Sequence, residues 1–420
     1  MKWICSQIGA REYYAVPRVL HRAGKLECLY TDLWGGGTMW QAMGSFLGRS
    51  MMASRYHKEL ATADVNSFDL STLVDKTFGG GAAGNPYDWF LCVGCDFGHS
   101  VKASLKRRKG MNWSDTIFFG YDTGFLEPAR WARERGAKTV VCQMDPSRFE
   151  VELVKEEERL WPGWARRSVD VPESYFKRRE EEWIAAHLVM VNSEWSRQAL
   201  IRQGVPEKKL VVVPLAYEMP RVKGRGEKDK GFGELWDGLR PSTPDSRPTL
   251  RVLFLGQVIV RKGIQYLIQA ARSLQNDPVR FDVVGPIGIS EEAIKSAPDN
   301  MTFHGAIGRD KAPEFFGNAD IFVLPTISDG FAITQIEAMA YGLPVITTSH
   351  CGEVVSDGVD GMIIPPGDSR QLAEAISFLI ENPHEFESMR SAARKKADQF
   401  SLSSLRENLT LIEQHLISKT

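Results

Sequence analysis

Short apolar runs recur along this chain at the spacing of a strand and helix alternation, and no other feature narrows its fold so far. KTVVCQ at 138–143, LVMVNS at 188–193, RVLFLG at 251–256, RFDVVG at 280–285, DIFVLP at 320–325 and PVITT at 344–348 are each followed by a helix-compatible stretch. Parallel strands need long crossovers between them and are buried on both faces, so they read as continuous apolar runs. The predicted class is therefore α/β, with doubly wound parallel sheets covered by helices.

A chain of 420 residues is too long for one ordinary core and suits two domains. The alternation collapses after Glu218 into RVKGRGEKDKGFGELWDGLRPSTPDSRP, which is too rich in Gly, Pro and charge to bury much apolar surface. The expected organisation is a first domain at 1–218, a linker at 219–249 and a second domain at 250–399. FSLSSLRENLTLIEQHLI at 400–417 places Leu405, Leu409, Ile412 and Leu416 at helical spacing behind a capping serine, Ser401 or Ser403. The glycine patches at 35–37 and 79–84 read as loops. Lys plus Arg number 52 against 53 Asp plus Glu, so no bulk charge draws the chain to nucleic acid. The first residues lack the apolar run of a secretory signal and no stretch approaches ~20 apolar residues, so a cytoplasmic location is expected. Six cysteines spread over a chain of this size read as buried reduced thiols.

Two segments carry the candidate chemistry. In RVLFLGQVIVRKGIQYLIQA a buried strand ends at Gly256, and a short loop delivers Arg261 and Lys262 to a helix start. Ligands of open α/β sheets bind at such strand ends, and adjacent Arg and Lys suit a diphosphate, although alone the pair reads more readily as solvated surface. PTISDGFAITQIEAMAYGLPVITT repeats the arrangement at 325–348. Gly330 is expected to permit a turn closed to other residues, with the amides of Phe331, Ala332, Ile333 and Thr334 opening a helix that favours an anion. Glu337 lies on the face of Ile333 and Thr334, placed to accept hydrogen bonds from ribose hydroxyls, and Asp329 is a second carboxylate aimed at the neighbouring sugar.

These segments, with FHGAIGRDKAPEFFGNADIFVLPT at 303–326 and VNSEWSRQALIRQGVPEKKLVVVPLAYE at 191–218, resemble glycosyltransferase family 4 over nearly the whole chain. The resemblance implies the GT-B fold, two Rossmann-like domains facing a central cleft, the last helix crossing back to the first domain, and retaining transfer from a nucleoside-diphosphate sugar. It implies that Arg261 and Lys262 bind the donor diphosphate, Glu337 the ribose, the amides near Ile333 and Thr334 a phosphate, and the loop ending at Ile307 the base. The donor would be UDP- or GDP-linked, with no further cofactor, and the acceptor stays open. Three departures stand out. Asp329 replaces the first glutamate of the family's pair, and the acceptor-side histidine near the strand KTVVCQ is missing, leaving Gln143 and Asp145 there. A single Gly9 stands for the paired-glycine loop. No Asp-any-Asp triplet occurs, so the charge of the leaving group is expected to be met without a metal. A nucleotide-sugar binder without transfer, or an epimerase or hydrolase of the same fold, are the alternatives.

Other motifs carry less. CVGC at 92–95 followed by His99 lacks a second pair and reads as buried thiols. GGGAAG at 79–84 runs into Asn85 and Pro86 without a preceding strand, and so fails as a dinucleotide motif. Five cations and a tryptophan at 102–113 fit a solvated helix end better than a peripheral membrane contact. GFLEPARWARERG at 124–136 reads as a packing helix. With donor and acceptor on different domains, donor binding is expected to close the cleft.

Overall fold

The structure, a computed structural model, describes residues 1–36, 55–68, 84–218 and 249–418. The glycine patch at 79–84 except Gly84, Gly37 of the earlier patch, and linker residues 219–248 lie outside the described residues.

Two wholly parallel sheets form the two lobes. The first has the order β3-β2-β1-β4-β5-β6-β7, with β1 (Lys2–Gln7), β2 (Leu26–Thr31), β3 (Val65–Ser67), β4 (Thr116–Tyr121), β5 (Lys138–Gln143), β6 (Leu188–Val191) and β7 (Leu210–Val212). The second has the order β10-β9-β8-β11-β12-β13, with β8 (Leu250–Leu255), β9 (Val279–Val284), β10 (Met301–Gly305), β11 (Ile321–Leu324), β12 (Val345–Thr348) and β13 (Gly361–Ile364). Each order reverses between its first strand and the fourth, the switch point at which doubly wound sheets bind ligands. The expected α/β class is the observed one. In the middle of the first sheet Ile4 stands opposite Cys28 on one side and Phe118 on the other, all fully buried, as a strand covered on both faces requires.

Seven helices matter to the site and its support: α1 (Ala15–Arg22), α2 (Pro86–Arg107), α3 (Arg148–Leu160), α4 (Glu173–Ala185), α5 (Ile264–Ser273), α6 (Thr334–Ala340) and α7 (Leu402–Ser418). The last of these belongs by packing to the first lobe. Leu402, Leu405, Leu409, Ile412 and Leu416 join Trp3, Val19 and Leu20 in one core, so the stripe seen at helical spacing is buried against β1 and α1. Glu413 on the same helix accepts from the N-terminal ammonium and from Lys25, each at 2.6 Å.

The lobes meet at the carboxyl ends of both sheets. Arg166 and Ser290 exchange backbone bonds with the opposite lobe, Arg166 N to Gly288 O at 2.9 Å and Ser290 N to Trp164 O at 2.8 Å. Trp195 stacks on His350 with ring centroids 3.9 Å apart, and Glu353 accepts from the amides of Glu194 and Trp195 at 3.0 and 3.2 Å, capping a first-lobe helix from the second lobe.

Candidate active site

On the second lobe, the chain leaves β8, makes a 3-10 turn at Val260–Lys262 and enters α5 through Gly263. Gly263 is required twice over: its φ is +74°, and a Cβ there would lie 1.8 Å from the carbonyl oxygen of Pro325. That approach clamps the cation-bearing turn to the loop after β11. Ile327 N and Thr326 Oγ1 both donate to the Arg261 carbonyl, at 2.9 and 3.1 Å. Arg261 Nη1 donates to Ser328 O at 3.1 Å, and Lys262 Nζ forms an ion pair with Asp329. Burial, reinforced by the neighbouring Arg261 charge, pushes the Lys262 ammonium down to about 7, against the opposing pull of Cys351 and Glu150. The sequence brings the two cations together as expected. It does not leave Asp329 aimed at a sugar: one carboxylate oxygen holds Lys262 and the other accepts from Phe331 N at 3.3 Å.

The turn at Gly330 has a different cause from the one expected. The left-handed residue is Ala332, with φ +57°, whereas Gly330 is needed because a Cβ would stand 2.0 Å from the Met144 carbonyl oxygen across the cleft. Beyond it α6 begins, and Ile333, Thr334 and Glu337 line a cleft of about 400 Å³ together with Tyr13, Tyr217, Arg309 and Tyr341. Burial raises the Glu337 carboxyl above its ordinary value, with Arg309 opposing. Phe331 turns its ring inward against Phe400, with centroids 5.9 Å apart, and does not line the cleft. Ile307 packs on the lobe's core and does not line this cleft; Arg309, two residues on, does. Gly256 closes the end of β8, its N–H bonded to Val284 O at 2.9 Å.

On the first lobe, a cavity of about 490 Å³ opens at the carboxyl ends of β1, β4 and β5, walled by aromatic residues such as Trp89, Phe90 and Tyr175 and floored by Asp122, Asp145 and Arg179. Arg179 of α4 grips Asp145 through two bonds of 2.8 Å and also pairs with Asp122. Burial alone would raise the Asp145 carboxyl, but the guanidinium outweighs it and holds it below the ordinary range. Asp145 therefore faces this cavity as a carboxylate. Gln143 does not face it: fully buried, it accepts from Trp183 Nε1 at 3.1 Å and donates to Asp145 Oδ1 at 3.3 Å, which makes it a support behind Asp145. Gly9 sits at the rim with φ +84°, its N–H bonded to Asp32 Oδ1 at 2.8 Å.

Several site residues carried no sequence signal. Arg179 and Arg178 look like any pair of cations on a charged helix, yet both are buried. Glu150 on α3 reaches across the cleft to Arg261 and Ser328. Glu12, Tyr13 and Tyr14 run through three successive left-handed conformations, φ 50°, 52° and 61°, a strained turn that lays the Tyr13 ring 4.3 Å from the Arg309 guanidinium of the other lobe. Burial pushes the Glu12 carboxyl in this turn up to about 7. The CVGC thiols differ from the expectation: Cys92 is exposed and Cys95 half-buried, both on α2. Arg108, in the basic segment after α2, is tied inward to Tyr30 Oη at 3.0 Å and to Asp64. No three His, Cys, Asp or Glu side chains among the described residues are grouped so as to hold a metal ion. No helix among them is long and apolar enough to cross a membrane.

Residues 249–382 match the family model described as glycosyl transferases group 1. Over 245 residues the chain is 25% identical to a putative colanic acid biosynthesis glycosyltransferase, WcaL, of Salmonella typhimurium, covering 54% of this chain and 56% of that protein. Over 229 residues it is 30% identical to an N,N'-diacetylbacillosaminyl-diphospho-undecaprenol alpha-1,3-N-acetylgalactosaminyltransferase of Campylobacter jejuni, covering 52% and 56%. The chain thus spans about half the length of the curated relatives it matches. Among solved structures, Anabaena HepE in complex with UDP superimposes with a TM-score of 0.62 at 15% identity over 99% of this chain and 100% of that one. Sucrose-phosphate synthase from Thermosynechococcus elongatus gives 0.62 at 16% over 100% of both. At such identities the likeness shows the fold, which is GT-B. Residues 249–382 are thus the part of the chain that is similar to the group 1 glycosyl transferases.

Proposed function

We propose that this protein is a glycosyltransferase that moves a sugar from a nucleoside-diphosphate donor to an acceptor hydroxyl, with retention at the anomeric carbon and without a metal. The observation that carries this reading is the clamped pair Arg261 and Lys262 at the switch point of the second sheet, in the lobe whose Glu337 lines a cleft of its own. Two fixed cations oppose the charge that develops on a departing diphosphate, and they do so without reorganising. Glu337, its carboxyl raised by burial, is positioned to hold ribose hydroxyls. Anabaena HepE, of the same fold, has been solved with UDP and with UDP-glucose, which supports UDP as the first nucleotide to try.

The acceptor belongs in the first-lobe cavity, against Asp145 and the aromatic wall. In a front-face displacement the leaving diphosphate oxygen can take the acceptor proton, so no strong protein base is required. A nucleotide-sugar binder without transfer keeps one observation in its favour, the engagement of Asp329 with Lys262 in place of a sugar. Assaying sugar release and transfer with wild type and Arg261→Ala/Lys262→Ala separates these readings. Transfer that survives in the folded double variant contradicts the site; UDP binding without release of sugar from any nucleotide sugar supports the binder.

A further inference from the structure

Arg261, one of the two donor cations, is engaged by a carboxylate from the opposite lobe. Glu150 stands in the first turn of α3, and its side chain is 13% exposed. Both of its carboxylate oxygens lie 3.4 Å from Arg261 Nη1, and Oε2 also accepts from Ser328 Oγ at 3.0 Å. Ser328 Oγ in turn accepts from Trp195 Nε1 at 3.1 Å, so the hydroxyl that orients Glu150 is itself held by the first lobe. Asp145 lies near enough to act on the same carboxyl, as do Arg261 and Lys262.

This arrangement has a consequence for any anion that Arg261 recruits. A phosphate within hydrogen-bond reach of that guanidinium shares it with a carboxylate shielded from water, where like charges repel strongly. We propose that Glu150 is a placeholder in the donor site: its carboxylate occupies Arg261 in the empty enzyme and competes with the nucleoside diphosphate for it. The inference rests on the donor assignment made above. Glu150 thereby weakens the binding of both donor and diphosphate product, and displacing it removes one of the bonds that join the lobes. Product release is accordingly faster with Glu150 than without it.

Calorimetric titration of the full chain with UDP and GDP tests this. Glu150→Gln keeps the shape and a hydrogen bond to Ser328 but removes the charge, and is expected to bind the preferred nucleotide about tenfold more tightly than wild type. Glu150→Asp, which keeps the charge, is expected to bind as weakly as wild type within a few-fold. A merely structural role for Glu150 cannot tighten binding, so an affinity in Glu150→Gln equal to or below that of wild type overturns the proposal. The control is Arg261→Ala/Lys262→Ala. Binding lost there but unchanged in Glu150→Gln removes the placeholder alone, whereas binding retained there, or absent in wild type for both nucleotides, removes the donor site and the placeholder with it. If Glu150→Gln does not fold by its melting transition, Glu150→Ala replaces it in the same titration: it also removes the charge, and an affinity equal to or below that of wild type overturns the proposal.

Discussion

Two glycines seven residues apart show how unequal positions of one residue type are. At Gly263 an added methyl group meets the Pro325 carbonyl in a left-handed backbone, while at Gly256 it meets nothing within 4 Å and the backbone is ordinary. Gly263→Ala is expected to cost roughly 2 kcal/mol or more, to lower the melting temperature and to weaken nucleotide binding by displacing Arg261 and Lys262. Gly256→Ala is expected to leave both measurements close to wild type; equal damage at the two positions contradicts the clamp. His187 offers a second test at this scale. Its Nδ1 accepts from Thr139 N at 3.0 Å, and burial together with Arg133, Lys138 and Lys209 pushes its pKa down to about 4. A depressed histidine favours folding fully above its unfolded pKa of ~6.5, and that contribution is lost as pH falls from there towards 4. Melting temperatures from pH 8 to 4 are expected to fall more steeply for wild type than for His187→Asn. Parallel curves would show that the imidazole is not held neutral.

At the scale of elements, periodic signals were the most legible and caps less so. The terminal helix announced itself through Leu405, Leu409, Ile412 and Leu416, and the same stripe meets Trp3 and Val19. Leu409→Ala is expected to destabilise the protein by about 3 kcal/mol, read by chemical denaturation, because Leu409 is 2% exposed in a core that joins the two ends of the chain. A cost below ~1 kcal/mol would mean that this helix is only loosely docked. By contrast, α2 hid behind its letters. Asn85 and Pro86 looked like a break after a glycine run, but Asn85 accepts from Tyr87 N at 2.9 Å and Pro86 opens the helix, the ordinary chemistry of an N-cap and first turn. The helix that follows carries Cys92 and Cys95, so the CVGC spacing is that of one helical turn.

For the whole molecule, the proposed donor residues stood out in the sequence because they are nearly contiguous: Arg261, Lys262, Ile333, Thr334 and Glu337 come from two strand-loop-helix segments of one sheet. The first-lobe cavity was less legible: Asp145 stood out, but Asp122 and Arg179, which gather around it, come from separate stretches and no spacing records their approach. The meeting of the lobes was equally silent in the sequence. It turns on Gly330, whose missing side chain lets the second lobe approach Met144. Gly330→Ala is expected to hold the lobes apart, giving a larger radius of gyration by small-angle scattering with a nucleoside diphosphate present, and a loss of transfer while nucleotide binding persists. An unchanged radius and rate would mean that the contact is not part of the working state.

A crystal structure of the protein soaked or grown with UDP decides whether the second-lobe cations hold a nucleoside diphosphate. The predicted result places the diphosphate within hydrogen-bond distance of Arg261 and Lys262, with the ribose hydroxyls on Glu337 and Glu150 turned away from Arg261. A nucleotide bound instead in the first-lobe cavity against Asp145 and Arg179, with Arg261 and Glu150 still paired, would contradict it.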